Sequence, residues 1–157
     1  MAVGFLVFLH LLGMVLWLGG MFVGSIWTSR ARKTGNESLL AFAYTTAHRL
    51  YRVIVGGGVA LSIASGVILV FVTDRAWFQP FPEHWLFQMQ VVGLIAALVT
   101  VFYIMPNATA LAKLANQSAA DGERTSAFAA KAKRQAIAGS LLGLLLVYLV
   151  LLGALRF

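Results

Sequence analysis

Apolar runs long enough to cross a bilayer alternate along this chain with short polar stretches that carry nearly all of its charge. Between neighbouring charged residues lie four such runs, 1–29, 53–73, 84–112 and 135–155, the two shortest holding 21 residues each. At about 1.5 Å of rise per residue, even these reach about 31 Å, enough for a hydrocarbon core of about 30 Å. Lipid leaves an isolated segment only the helix as a way to satisfy its backbone. The pattern therefore predicts one all-α domain over 1–157: an integral-membrane, antiparallel four-helix bundle with helices at about 3–28, 50–73, 85–112 and 128–156.

The connections are distinct in kind. "TSRARKTGNES" leads into "LLAFAYTTAHRLYR", which reads as a helix running on into the second span. "TDRAWFQPFPEHW" joins the second and third spans with two prolines and the aromatics Trp77, Phe78, Phe81 and Trp85, an interfacial belt. Pro106 can kink the third helix near the membrane surface, and the chain turns again at Asp121–Gly122. A short internal correspondence, "HLLG" at 10–13 with "QVVG" at 90–93 and "RLYRVIVGGG" with "KAKRQAIAGS", relates the two hairpins and sets Gln90 opposite His10.

Charge decides the orientation. A net +7 invites a nucleic-acid reading, but ten of the twelve basic residues lie in the first and third connections, Arg30 to Arg52 and Lys113 to Arg134. The positive-inside rule makes that side cytoplasmic, so both termini and the 74–84 connection face outward (N-out, C-out). Anionic lipid head groups are sufficient partners for the basic side, and no nucleic acid is expected. The first run lacks a basic n-region and a small-residue cleavage site, so it reads as a retained helix and not as a signal peptide. With no cysteine, thiolate metal sites and thiol redox chemistry are excluded. The five acidic residues lie in connections, which disfavours transport driven by an intramembrane carboxylate. No phosphate loop, nucleophile elbow or HExxH pattern is present.

One ionisable side chain stands inside the first run: His10. Its i+3, i+4 and i+7 neighbours are Gly13, Met14 and Trp17, and the stripe continues with Gly20, Met21 and Gly24. The glycines permit close helix approach, so this stripe should face the bundle, with Leu9, Leu12, Leu16, Phe22 and Val23 on the far side. Three readings of an inward imidazole follow. In the first it ties helices together, bonding Gln88 or Gln90 on the third span or Ser62 or Ser65 on the second. In the second it ligates haem iron, with His84 as the one other histidine on the same side. In the third it joins Met14 and Met89 around copper. The small residues of the second span, Gly56 to Gly58 and then Ser62, Ser65 and Gly66, fit either tight packing or space for a flat macrocycle.

"FLHLLGMVLWLGGMF" resembles the first helix of the copper-resistance protein D family, in which a histidine, a tryptophan seven residues later and a Gly-Gly recur. "HRLYRVIVGGGVALSIASGVIL" looks like the second helix of HemJ-type protoporphyrinogen oxidases and related four-helix bacterial membrane proteins. The resemblance implies a bacterial inner (cytoplasmic) membrane protein. The first branch implies copper uptake; the second implies haem b and an oxidoreductase activity, with hallmarks of a first-helix histidine and a third-helix lysine. His10 matches the histidine, whereas Gln88, Met89 and Gln90 stand where the lysine would fall. The expectation is a redox or metal-handling membrane protein binding one haem b through His10, with Gly13, Trp17, His84 and Gln90 around the cofactor. It would serve as an electron carrier or an accessory subunit of a redox complex. The alternatives are a copper site of His10, Met14, Met89 and His84, and a cofactor-free structural subunit. Four helices enclose little interior, so a homo-oligomer or a larger membrane complex is also expected.

Overall fold

The computed structural model describes residues 2–75, 77–78 and 84–155, and every regular element among them is helical. Phe81, Pro80, Pro82 and Arg156 lie outside the described residues. The helices are α1 (Ala2–Lys33), α2 (Glu37–Leu50), α3 (Gly56–Val72), α4 (His84–Val99), α5 (Met105–Asp121) and α6 (Ser126–Leu155). A π-helical turn, Tyr51–Val55, joins α2 to α3 without a break, and a second, Thr100–Ile104, joins α4 to α5. The chain thus forms four helices long and apolar enough to cross a membrane, a four-helix membrane bundle.

Two of them overshoot the membrane. The continuous helices 37–72 and 84–121 hold 36 and 38 residues, about 54 and 57 Å against a core of about 30 Å. Their excess, α2 and α5, pairs beyond the bilayer and closes a second core of Leu40, Ala43, Tyr44, Leu111, Ala115 and Phe128 with Ala31 and Ala132. Asn36 begins α2 by accepting the Leu39 N–H at 2.9 Å, with Glu37 in the first turn, a sound N-terminus. Gly122 ends α5 at φ 73°, the left-handed conformation a glycine adopts without strain. Arg124 then clamps this end, donating Nε–H to Glu37 (2.7 Å) and Nη1–H to the Arg32 carbonyl (2.9 Å).

In the bundle α1 packs chiefly on α3 and also on α6, while α4 leans mainly on α6 and less on α3. The α1–α3 contact is close because both faces lack bulk. A Cβ on Gly13 would stand 2.6 Å from the Ser62 nitrogen, and one on Gly58 2.6 Å from the Trp17 nitrogen. Gly20 fits against Val55 and Gly24 against the Tyr51 ring, so the second half of the α1 glycine stripe meets the Tyr51–Val55 turn. The buried residues of α1 are the stripe 13, 14, 17, 20, 21 and 24, plus Ala31. Leu12, Phe22 and Val23 are exposed toward the lipid position, whereas Leu9 and Leu16 are half-buried. The two hairpins differ in form: α6 runs unbroken through the stretch corresponding to the π turn at Tyr51–Val55.

The second π turn stands just before Pro106, the second residue of α5. Proline supplies no N–H to residue 102, and one wide turn absorbs the mismatch without breaking the helix. The kink expected at Pro106 is therefore spread over Thr100–Ile104.

Candidate functional site

His10 sits where α1 crosses α3, half-buried. Its Nδ1–H donates to the carbonyl of Ser62 at 2.9 Å, and Ser65 Oγ stands 3.4 Å from the same nitrogen. Ser62 Oγ returns a hydrogen bond to the His10 carbonyl at 3.3 Å. A carbonyl only accepts, so the proton must be on Nδ1, and Nε2 carries the lone pair. Gly66 flanks the ring: a Cβ there would lie 3.1 Å from Cε1. The ring is thus held on one edge by backbone and on one side by α3, with its basic nitrogen left available.

Trp17 is 1% exposed, and its Nε1–H donates to Thr100 Oγ1 at 3.1 Å. Thr100 in turn donates to the Ala96 carbonyl at 2.8 Å. The π turn beginning at Thr100 brings that hydroxyl into the core, where it pins α1 to the α4–α5 helix. Met14 packs in the same core, as does Met89, whose thioether faces α6 near Gly153.

The remaining candidates lie apart from His10. Gln90 Oε1 accepts the Phe78 N–H at 2.7 Å and so ties α4 to the chain that follows α3, where Trp77 lies tilted against both Phe71 and Phe78. Gln88 accepts from the Tyr148 hydroxyl on α6. His84 is the exposed first residue of α4. The structure therefore brings His10, Gly13, Met14 and Trp17 onto one face, joins His10 to Ser62 and Ser65, and directs Gln88, Gln90 and Met89 to other partners. Among the described residues no three His, Cys, Asp or Glu side chains gather as a metal-ligand set.

The space at Gly58 and Gly66 of α3 is filled by α1 itself, and that at Gly56 by Met105. A larger void lies elsewhere. A cavity of about 340 Å³ opens between α1 and α6 toward the basic end, lined by Arg32, Tyr44, Tyr51, Gln135, Gly139 and Gly143 among others, and His10 is not on its wall. The residue pattern contains a trace of it: Ala132, Ala136, Gly139, Ser140 and Gly143 recur on one face of α6. That stripe reads as a helix contact, and only the structure reveals that no helix fills it.

The comparison with families follows this architecture. The family model described as "Predicted integral membrane protein (DUF2269)" matches residues 4–156. The chain belongs to this family. The DUF2269 match spans all four membrane helices and both π turns, so the family and the bundle are coextensive. No curated protein and no solved structure matches the chain.

Proposed function

We propose that this DUF2269 protein is a membrane redox protein that holds one haem b through His10, as an electron carrier or an accessory subunit of a redox complex. The observation that carries the reading is the Ser62 carbonyl at 2.9 Å from His10 Nδ1. A ligating imidazole characteristically donates its other N–H to a carbonyl or carboxylate, which fixes its tautomer and raises its basicity. His10 has that arrangement, and an ionisable side chain kept within a span is a functional hypothesis by default.

The fit to haem is in donor chemistry. Nε2 of His10 would hold the iron, and the group would supply one-electron transfer there. The α1–α3 seam leaves no gap for a macrocycle, so the ring must open onto the side of His10 away from Gly66. In α4 only Ala96 and Ala97, both in its second half, are fully buried. Ser62 orients the imidazole, and Gly66 lets α3 come against it. Trp17 and Thr100 fix the height of α1 against the neighbouring helix. A second copy or a partner subunit would complete the site, in keeping with the oligomeric expectation, and the bacterial inner membrane remains the proposed location.

A second reading has its own observation. Ser62 and Ser65 already engage the imidazole, as a purely structural interhelical tie would require. Copper is less well supported, because the Met89 thioether is engaged with α6 beside Gly153. Haem and copper contents of the detergent-purified protein separate the three. About one haem per chain or per dimer, lost in His10→Ala, supports the proposal. Copper without haem supports the copper site. A protein free of both, whose His10→Ala form is merely less stable, supports the tie.

A further inference from the structure

Three polar side chains, Tyr51, Gln135 and Arg32, stand on the wall of the cavity between α1 and α6. Tyr51 is 8% exposed, and its ring, on the cavity wall, brings the hydroxyl against Gly24. Gln135 donates Nε2–H to the Ile104 carbonyl at 3.3 Å, but its Oε1 is buried without a partner. The Arg32 guanidinium has no carboxylate partner among the described residues; Glu37 pairs with Arg124 instead. Buried polar atoms are nearly always paired, and the Gln135 oxygen is not, while Arg32, half-buried, turns an unneutralised charge to the same wall. The complement is an anion for Arg32, an acceptor for the Tyr51 hydroxyl and a donor for the Gln135 oxygen.

The wall also has a polarity gradient along the membrane normal. Arg32, Tyr51 and Gln135 lie at the basic end, and Leu18 and Val147 at the other. From Gln135 to Val147 is about 18 Å of helix. Between them a Cβ on Gly139 or Gly143 would meet nothing within 4 Å. Phe22 and Leu144, which flank the opening, are among the exposed apolar residues, so the cavity opens sideways toward the lipid position. Arginine suits a phosphate, ester carbonyls accept from a phenol, and a head-group hydroxyl donates to an amide oxygen.

We propose that this cavity binds one anionic phospholipid with a hydroxylated head group, its phosphate at Arg32 and an acyl chain along Gly139 and Gly143. The site is independent of His10 and stands or falls separately from the haem reading. Basic residues near a membrane surface favour anionic lipid by about fivefold each, the scale expected here.

The test offers the delipidated full-length protein phosphatidylglycerol or phosphatidylcholine in nanodiscs, extracts it gently, and counts retained lipid by native mass spectrometry. One phosphatidylglycerol per chain is expected, retained about fivefold over phosphatidylcholine. Arg32→Gln should abolish the preference, and Tyr51→Phe should weaken retention of both lipids. Gly143→Leu should exclude both with helicity unchanged, because its side chain enters open space; Gly139→Leu serves as a second filler. Equal retention of the two lipids, or unaltered retention in both filler variants, overturns the proposal. So does full competition by glycerol phosphate, which would make the site one for a soluble anion, or a crosslink between position 143 of two copies, which would make a second chain the occupant.

Discussion

At His10 a single proton position decides what the residue can do. With Nδ1–H committed to a backbone carbonyl, trimming the Ser62 or Ser65 side chain does not remove the bond that fixes the tautomer. Ser65→Ala should therefore leave any cofactor in place, while His10→Ala removes it; haem content of the two variants checks this. Trp17 offers an independent measure of packing at the same scale. Its bond to Thr100 is buried and interhelical, so Trp17→Phe and Thr100→Val should couple by roughly 0.6 to 1.7 kcal/mol in a double-mutant cycle of detergent unfolding. Additive effects would show that the bond contributes nothing. Helical periodicity aimed His10 inward and left Ser62, Ser65, Gln88 and Gln90 as alternative partners; the structure joins it to the two serines. The destinations of Gln88 and Gln90 were not legible in the sequence, since a glutamine's partner depends on which neighbouring element stands opposite, and here those are α6 and the outer connection.

At the scale of elements, the α1–α3 seam is where glycine is required. A methyl at Gly13 would sit 2.6 Å from the Ser62 nitrogen and 2.9 Å from the Gly58 carbonyl, both backbone atoms that cannot yield without moving a helix. Gly13→Ala and Gly58→Ala should each destabilise the bundle by about 1–3 kcal/mol. Gly19→Ala and Gly57→Ala, with nothing within 4 Å, should be neutral or slightly stabilising in the same thermal unfolding assay. A reversal of that order would show that the seam is not closed as described. The stripe itself could be read from spacing alone, because burial follows the helical period. The π turns could not. They differ from α-helix by one residue in a hydrogen-bond register, and of the two only Thr100–Ile104 is flanked by a proline that hints at it.

For the whole molecule, composition was enough to find four spans, since a charge-free run of 21 residues has few other fates. The cavity was invisible for the opposite reason: it is the gap left where α1 and α6 diverge, a property of no single helix. Topology is open to direct test because the chain has no cysteine. Single cysteines at Gly35 or Gly122 should react with a membrane-impermeant maleimide only after cells are broken, and one at Trp77 in intact cells. The reverse pattern would invert the bundle.

The most direct measurement on the central claim is the reduced-minus-oxidised absorption spectrum of the protein purified from haem-replete cells, beside that of His10→Ala. Bound at His10 Nε2, haem b gives a Soret band and reduced α/β bands in the wild type that vanish from a variant still folded as a helical bundle. A wild type with no Soret band, or a His10→Ala protein that keeps the same spectrum, contradicts the claim.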